Sequence, residues 1–191
     1  MTVSTVTVGR SRHDAGMAIH VRLEPWGEAD LSILQRSNTP EMTAHLGGPE
    51  SDEKLLDRHR RYVEGSDMFR VVLLPEGDPV GSTGFWTKDW QGEPVYETGW
   101  AVLPEFQGRG IAAAAVRAVV ARAAATGDRR WLHAFPSVQN APSNGVCRKV
   151  GFELCGEHDF EYPPGHVMRC NDWRLDLRGD GSGGAAVMSA P

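Results

Sequence analysis

ETGWAVLPEFQGRGIAAAAVRAVV, residues 97–120, is the stretch from which the fold can be worked out. Its first part, with the residues just before it, alternates in the manner of a strand over 95–103 and stops at Pro104. QGRGIA (107–112) then sets two glycines around an arginine, immediately ahead of a block of alanines. From Gly110 to Thr126 strong helix formers dominate, and Gly127 supplies the C-terminal cap. A strand, a glycine loop and a helix in succession aim backbone N–H groups at whatever lies before the helix, a usual way of holding a phosphate.

Outward from that core, 19–23 alternates like a strand, and 27–37 and 51–64 read as helices. The second opens on Ser51 with an acidic first turn. Strands over 69–74 and 80–86 flank the turn PEGDP. Downstream come a strand at 131–135, a short helix at 143–150 ended by Gly151, and a hairpin of 152–162 with 166–177 around YPPGH. The order β-α-α-β-β-β-α-β-α-β-β predicts an α+β (α/β) domain, a mixed, mostly antiparallel sheet with helices on both faces. The domain is expected over 18–178. The Ser/Thr-rich residues 1–17 and the Gly/Ser/Ala-rich residues 179–191 are expected to be disordered extensions.

The 191 residues, 40% of them hydrophobic, suit one domain with a proper core. A net charge of -5 argues against a nucleic-acid partner and favours a cationic ligand. Cys147, Cys155 and Cys170 form no CxxC pair, so neither a disulfide framework nor a metal site is expected, and a cytoplasmic location follows. No apolar run is long enough for a membrane span.

Gly108-x-Gly110-x-x-Ala113, with Asp128 downstream, also satisfies the dinucleotide fingerprint. The context is wrong for it: two hairpins precede the loop, Asp128 comes before the next strand rather than at its end, and only one βαβ unit is present. QGRGIA instead resembles the acyl-CoA loop of the GNAT (Gcn5-related) N-acyltransferases, whose pattern Q/R-x-x-G-x-G/A is met by Gln107, Gly110 and Ala112. NAPSNGVCRKVGF resembles the same family's N-x-x-S-x-x-V-x-x-K-x-G-F at Asn140, Ser143, Val146, Lys149, Gly151 and Phe152. SNGVCRKVGF and HVRLEPW are most similar to the RimJ/RimL branch.

The resemblance implies the GNAT fold and acetyl-CoA as acyl donor, with no metal. The expected acceptor is a primary amine of a small molecule, an antibiotic or a peptide N-terminus. Direct attack in a ternary complex is expected because no nucleophile is set with a matching base and orienter. The resemblance places the pyrophosphate on Gln107, Gly108, Arg109, Gly110, Ile111 and Ala112. The pantetheine arm and oxyanion fall to backbone groups of Ala101, Val102 and Leu103, with Asn140 on the pantetheine amide and Gly99 suited to a bulge. Glu97 is the candidate base, or else a strand carboxylate in an ion pair. Ser143 is the candidate thiolate partner, or else a cap for 144–150. Cys147 is the runner-up, with His133 on the preceding strand as the residue that could approach it, or else Cys147 is a small buried hydrophobe. His45, Leu46, Trp86, Tyr162 and His166, with Trp90, are candidates for the acceptor pocket. An acyl-CoA-binding sensor without turnover is the alternative, and a homodimer is left open.

Overall fold

The structure, a computed structural model, describes residues 19–65, 67–161 and 165–179. Seven strands form one sheet in the order β1-β2-β3-β4-β5-β7-β6: β1 (Val21–Pro25), β2 (Asp67–Leu73), β3 (Asp78–Trp90), β4 (Glu93–Val102), β5 (Trp131–Ala134), β6 (Glu153–Glu161) and β7 (Val167–Asp176). All neighbours are antiparallel except β4 and β5. The element order matches that expected from the sequence, apart from two 3-10 turns at Glu28–Asp30 and Pro104–Phe106. The first of these replaces the opening of the helix expected over 27–37, leaving α1 as Leu31–Ser37.

Strand alternation gives each face its own core. Phe69, Val71, Leu73, Phe85, Tyr96, Val102, Leu132 and Trp173 join α3 (Ile111–Thr126) and α4 (Ala141–Val150) in one cluster. The turned-in residues of α3 are mostly Ala and Val, which let this helix lie close over β1, β3 and β4. On the other face, Met68 of β2 meets Trp26, Ile33, Leu34 and Leu55 from the segment around α1 and α2 (Asp52–Val63). Ser51 Oγ caps α2 by accepting from the Lys54 N–H at 3.4 Å, as its position predicts.

One irregularity opens the sheet. β4 and β5, the one parallel pair among the described residues, are in register at Tyr96–Leu132 and Glu97–His133 and nowhere else among them. Beyond Glu97 the two strands diverge, so residues 98–102 have β3 on one side and an open edge on the other.

Candidate acyl-transfer site

Which backbone groups face the opening follows from the β3–β4 ladder. The Leu103 N–H donates to Val80 O at 2.9 Å, and polar groups alternate along a strand. Those of Glu97, Gly99, Ala101 and Leu103 therefore point to β3, while those of Thr98, Trp100 and Val102 point to the open edge. This corrects two expectations. Ala101 and Leu103 cannot offer free backbone groups there, and Leu103 O is also occupied, accepting from the Phe106 N–H. Trp100, missed in the sequence, joins Val102 instead, the latter through its N–H, because Val102 O accepts from Gln107 Nε2. Nor does Gly99 form a bulge: it pairs regularly with Gly84. A Cβ at Gly99 would lie 3.1 Å from the Trp86 ring, so its smallness serves the indole above it.

The loop after β4 is held back against the strand by Gln107, whose Nε2 donates to Val102 O at 2.9 Å and lies 3.0 Å from Met42 Sδ. Gly108 (φ 73°) and Gly110 (φ 85°) are both left-handed, a conformation that favours glycine. Gly110 is the N-cap of α3 and provides no side-chain cap, so the first N–H groups of the helix, at Ile111 and Ala112, point outward unbonded within the helix. Arg109 sits over the Phe106 ring at 5.8 Å, and a Cβ at Gly110 would lie 3.6 Å from Lys149 Nζ. Lys149 thus brings a cation to the loop from α4, a placement carried by the K-x-G-F motif but visible only once α4 packs beside α3. Two bare glycines, a helix start and two cations fit a pyrophosphate.

α4 begins at Ala141, two residues before its expected start, because Asn140 caps it: Asn140 Oδ1 accepts from the Ser143 N–H at 3.1 Å. Ser143 is therefore not the cap but a half-buried residue of the first turn. Asn144, buried to 2% exposure, ties this end to the sheet. Its Nδ2 donates to Ser137 O and Asn140 O, and its Oδ1 accepts from Asn171 Nδ2 (2.7 Å) and Trp173 Nε1 (2.8 Å). Cys147 is fully buried in the core on the α3 side, and burial pushes its thiol up to about 12. It touches no solvent from which a substrate could arrive, which corrects its candidacy as a proton donor. His133 does not approach it; it lies on the opposite sheet face.

There His133 Nδ1 lies 2.6 Å from Asp172 Oδ1, both groups buried. Asp172 Oδ2 accepts from Trp90 Nε1 at 3.0 Å and is 4.0 Å from His158 Nε2. Burial pushes the Asp172 carboxyl up, but hydrogen bonds from His133 and Trp90 outweigh it and hold it below its ordinary value. Trp90 packs against Phe135, His158 and Phe160, with centroids 4.8–5.1 Å away. A cavity of about 160 Å³ opens beside this cluster, lined in part by Val95, His133, Asp172, Cys155 and Arg174.

Next to the cluster, Glu97 Oε2 receives Lys88 Nζ at 2.9 Å and Trp86 Nε1 at 3.2 Å. Lys88 Nζ also stands 5.2 and 5.3 Å from the Phe135 and Phe160 centroids. Trp86 is 41% exposed. Cys170, fully buried in β7, is pushed up to about 11 by burial and then by the Glu97 charge. Of the other acceptor candidates, His45 is half-buried and Leu46 exposed in the 39–47 turn, and His166 is exposed before β7. None of these three hydrogen-bonds or stacks with the Glu97 cluster among the described residues. Tyr162 lies outside them, as do the two expected extensions for almost all their length. Among the described residues no group of His, Cys, Asp and Glu could hold a metal ion, and no helix is long and apolar enough to cross a membrane.

The fold has counterparts among known proteins. The family model described as Acetyltransferase (GNAT) domain matches residues 20–153, and the chain belongs to that family. A curated relative, the uncharacterized N-acetyltransferase YnaD of Bacillus subtilis (strain 168), is 27% identical over 110 residues. The match spans 58% of this chain and 61% of that protein. A GNAT-family acetyltransferase from Bacillus anthracis has the same fold, with a TM-score of 0.71 at 19% identity over 83% of this chain and 96% of its own. So does the aminoglycoside acetyltransferase AAC(6')-Ib in complex with coenzyme A, at 0.63 and 18% over 83% and 95%. The spermidine N-acetyltransferase of Vibrio cholerae, solved with CoA and spermine, gives 0.66 at 15% over 82% and 95%.

Proposed function

We propose that the chain is an acetyl-CoA-dependent N-acetyltransferase acting on a primary amine by direct attack in a ternary complex. The observation that carries this reading is the open edge of β4 at residues 98–102. It runs from the left-handed glycines and bare start of α3 to a carboxylate, Glu97, that already holds an ammonium. Acetyl-CoA supplies an activated acyl group. The chain's own part is to hold the pyrophosphate on 107–112 with Arg109 and Lys149, and to receive the arm along Trp100 and Val102, like an added strand.

Glu97 takes the proton from the acceptor amine, and Ser143, at the start of α4, is the proposed partner of the departing thiolate. Asn140 is proposed for the pantetheine amide through whatever its capping role leaves free. Direct attack is supported by the cysteines: burial raises the thiols of Cys147 and Cys170 to about 12 and about 11, so neither is poised as a nucleophile. The aromatic wall of Trp86, Trp90, Phe135 and Phe160 suits an amine carried on an apolar or cationic body. Small-molecule amines are the acceptor class favoured, in line with the spermine and aminoglycoside names among the structural neighbours. The RimJ/RimL branch rests on SNGVCRKVGF and HVRLEPW.

The test is release of free CoA thiol from acetyl-CoA against a panel of polyamines, aminoglycosides and peptides, with Glu97→Gln alongside. Amine-dependent release that falls about 10²–10⁴-fold in kcat in the variant, with the acetyl-CoA KM little changed, is expected. Equal activity removes Glu97 as base. One observation favours the sensor alternative, that Glu97 is engaged by Lys88 and Trp86. Acetyl-CoA binding without thiol release for any amine would establish it.

A further inference from the structure

The place that an acceptor amine must reach is filled by an amine of the chain itself. Lys88 Nζ lies 2.9 Å from Glu97 Oε2 and over the faces of Phe135 and Phe160 at 5.2 and 5.3 Å. A carboxylate with two aromatic faces is a complete receptor for an alkylammonium ion. Glu97 is also the last β4 residue paired with β5, so the ammonium stands where the open edge begins. The Lys88 side chain is 27% exposed and rides on a flexible four-carbon stem, so it is not sealed from a ligand entering there.

We infer that Lys88 is an internal acyl acceptor: with acetyl-CoA bound and no external amine present, the chain acetylates its own Lys88. This rests on the acetyltransferase reading above. The Lys88 ammonium gives one proton to Glu97, and the freed lone pair attacks the thioester carbonyl. The N–C bond forms and the C–S bond breaks. The second proton of the nitrogen ends on the departing thiolate, giving free CoA thiol, and Glu97 returns its proton to water. No oxidant, reductant or further reactant is needed. The product has lost the cation beside Glu97 and carries an amide between the two phenyl rings, so self-modification blocks the acceptor place until it is reversed.

The chain has only three lysines, which makes the site easy to assign. Lys54, exposed on α2, reports uncatalysed acetylation, and Lys149 reports the CoA loop. The full chain is incubated with isotope-labelled acetyl-CoA without acceptor, and each lysine is followed by peptide mass spectrometry. Lys88 should gain label at least about tenfold faster than Lys54, because positioning beside base and donor raises its effective concentration. Glu97→Gln, checked for an unchanged melting curve, should bring Lys88 down to the Lys54 rate. Lys88→Arg, which keeps the cation, should abolish label at 88 and leave Lys54 and Lys149 as they were. Labelling of Lys88 no faster than Lys54 in a protein that acetylates external amines overturns this inference and leaves the acetyltransferase reading standing. Absence of both thiol release and acetyl-CoA binding overturns the two together.

Discussion

Asn144→Ala should loosen α4 from the sheet, and its cost can be worked from the partners left behind. Four hydrogen bonds are lost, but Ser137 O still accepts from the Asn140 N–H and Asn140 O from the Asn144 N–H. The groups orphaned are two buried donors, Asn171 Nδ2 and Trp173 Nε1, in residues 9% and 4% exposed. At about 1–3 kcal/mol for each unpaired buried group, the variant should lose about 2–6 kcal/mol, a large share of the roughly 5–15 kcal/mol typical of a domain. Urea unfolding followed by both circular dichroism and tryptophan fluorescence reads this directly. With a slope of about 2 kcal/mol/M, a 4 kcal/mol loss moves the midpoint down by about 2 M. Asn144→Asp keeps the acceptor for Asn171 and Trp173 but turns an oxygen toward Ser137 O and Asn140 O. It should be destabilised at neutral pH and recover as acid protonates the buried carboxyl. A loss below about 1 kcal/mol in Asn144→Ala would refute the reasoning, because it would mean that neither donor depends on this side chain.

Gly110→Val puts a β-branched residue at a left-handed position and a Cβ near Lys149 Nζ, so CoA affinity should fall at least about tenfold in calorimetry. Gly127→Ala, at the left-handed opposite end of α3, is the control: a stability cost of about 1–2 kcal/mol and unchanged affinity, whereas unchanged affinity in Gly110→Val would end the pyrophosphate assignment. The Asp172 carboxyl is held below its ordinary value, so its stabilisation is complete above about pH 3.9 and is lost as pH falls through the lower folded-state value. Asp172→Asn should flatten the acid limb of the melting temperature against pH, and an equally steep limb would show that the carboxylate plays no part in it. Of the three thiols only Cys155 is exposed, so a thiol reagent should titrate one site in the native chain and all three after unfolding; fast reaction at Cys147 would contradict its burial.

The parts legible in the sequence were those whose cause is local. A glycine needing positive φ, a capping residue and an alternating run announce themselves within a few residues, and α3, Gly110, Gly127 and the last hairpin follow from them. β3 and β4 reach further than their apolar runs, to Trp90 and back to Glu93, around a tight turn at Gln91 and Gly92. Thr87, Asp89, Glu93 and Pro94 give no apolar alternation there because that end of the hairpin faces water. The polar cluster was hidden for another reason. His133 meets Asp172 only because β5 lies against β7, and Trp90 meets Asp172 only because β3 runs long. Such encounters are set by register between distant strands. The error over Ala101 and Leu103 was one of parity, since alternation along β4 was visible but not which set of amides faced β3.

The two-register pairing of β4 with β5 divides the sheet into two plates, β1 to β4 and β5 to β6, stitched along a short seam. What else spans it is α3 on the first plate touching α4, which Asn144 fastens to the second, and on the other face the reach of Trp90 from β3 to Asp172, Phe135 and Phe160. A ligand laid along residues 98–102 would act as a weld as well as a reactant. Its binding free energy would then count as cohesion between the plates, and the endurance of the folded chain would rise and fall with the supply of donor around it.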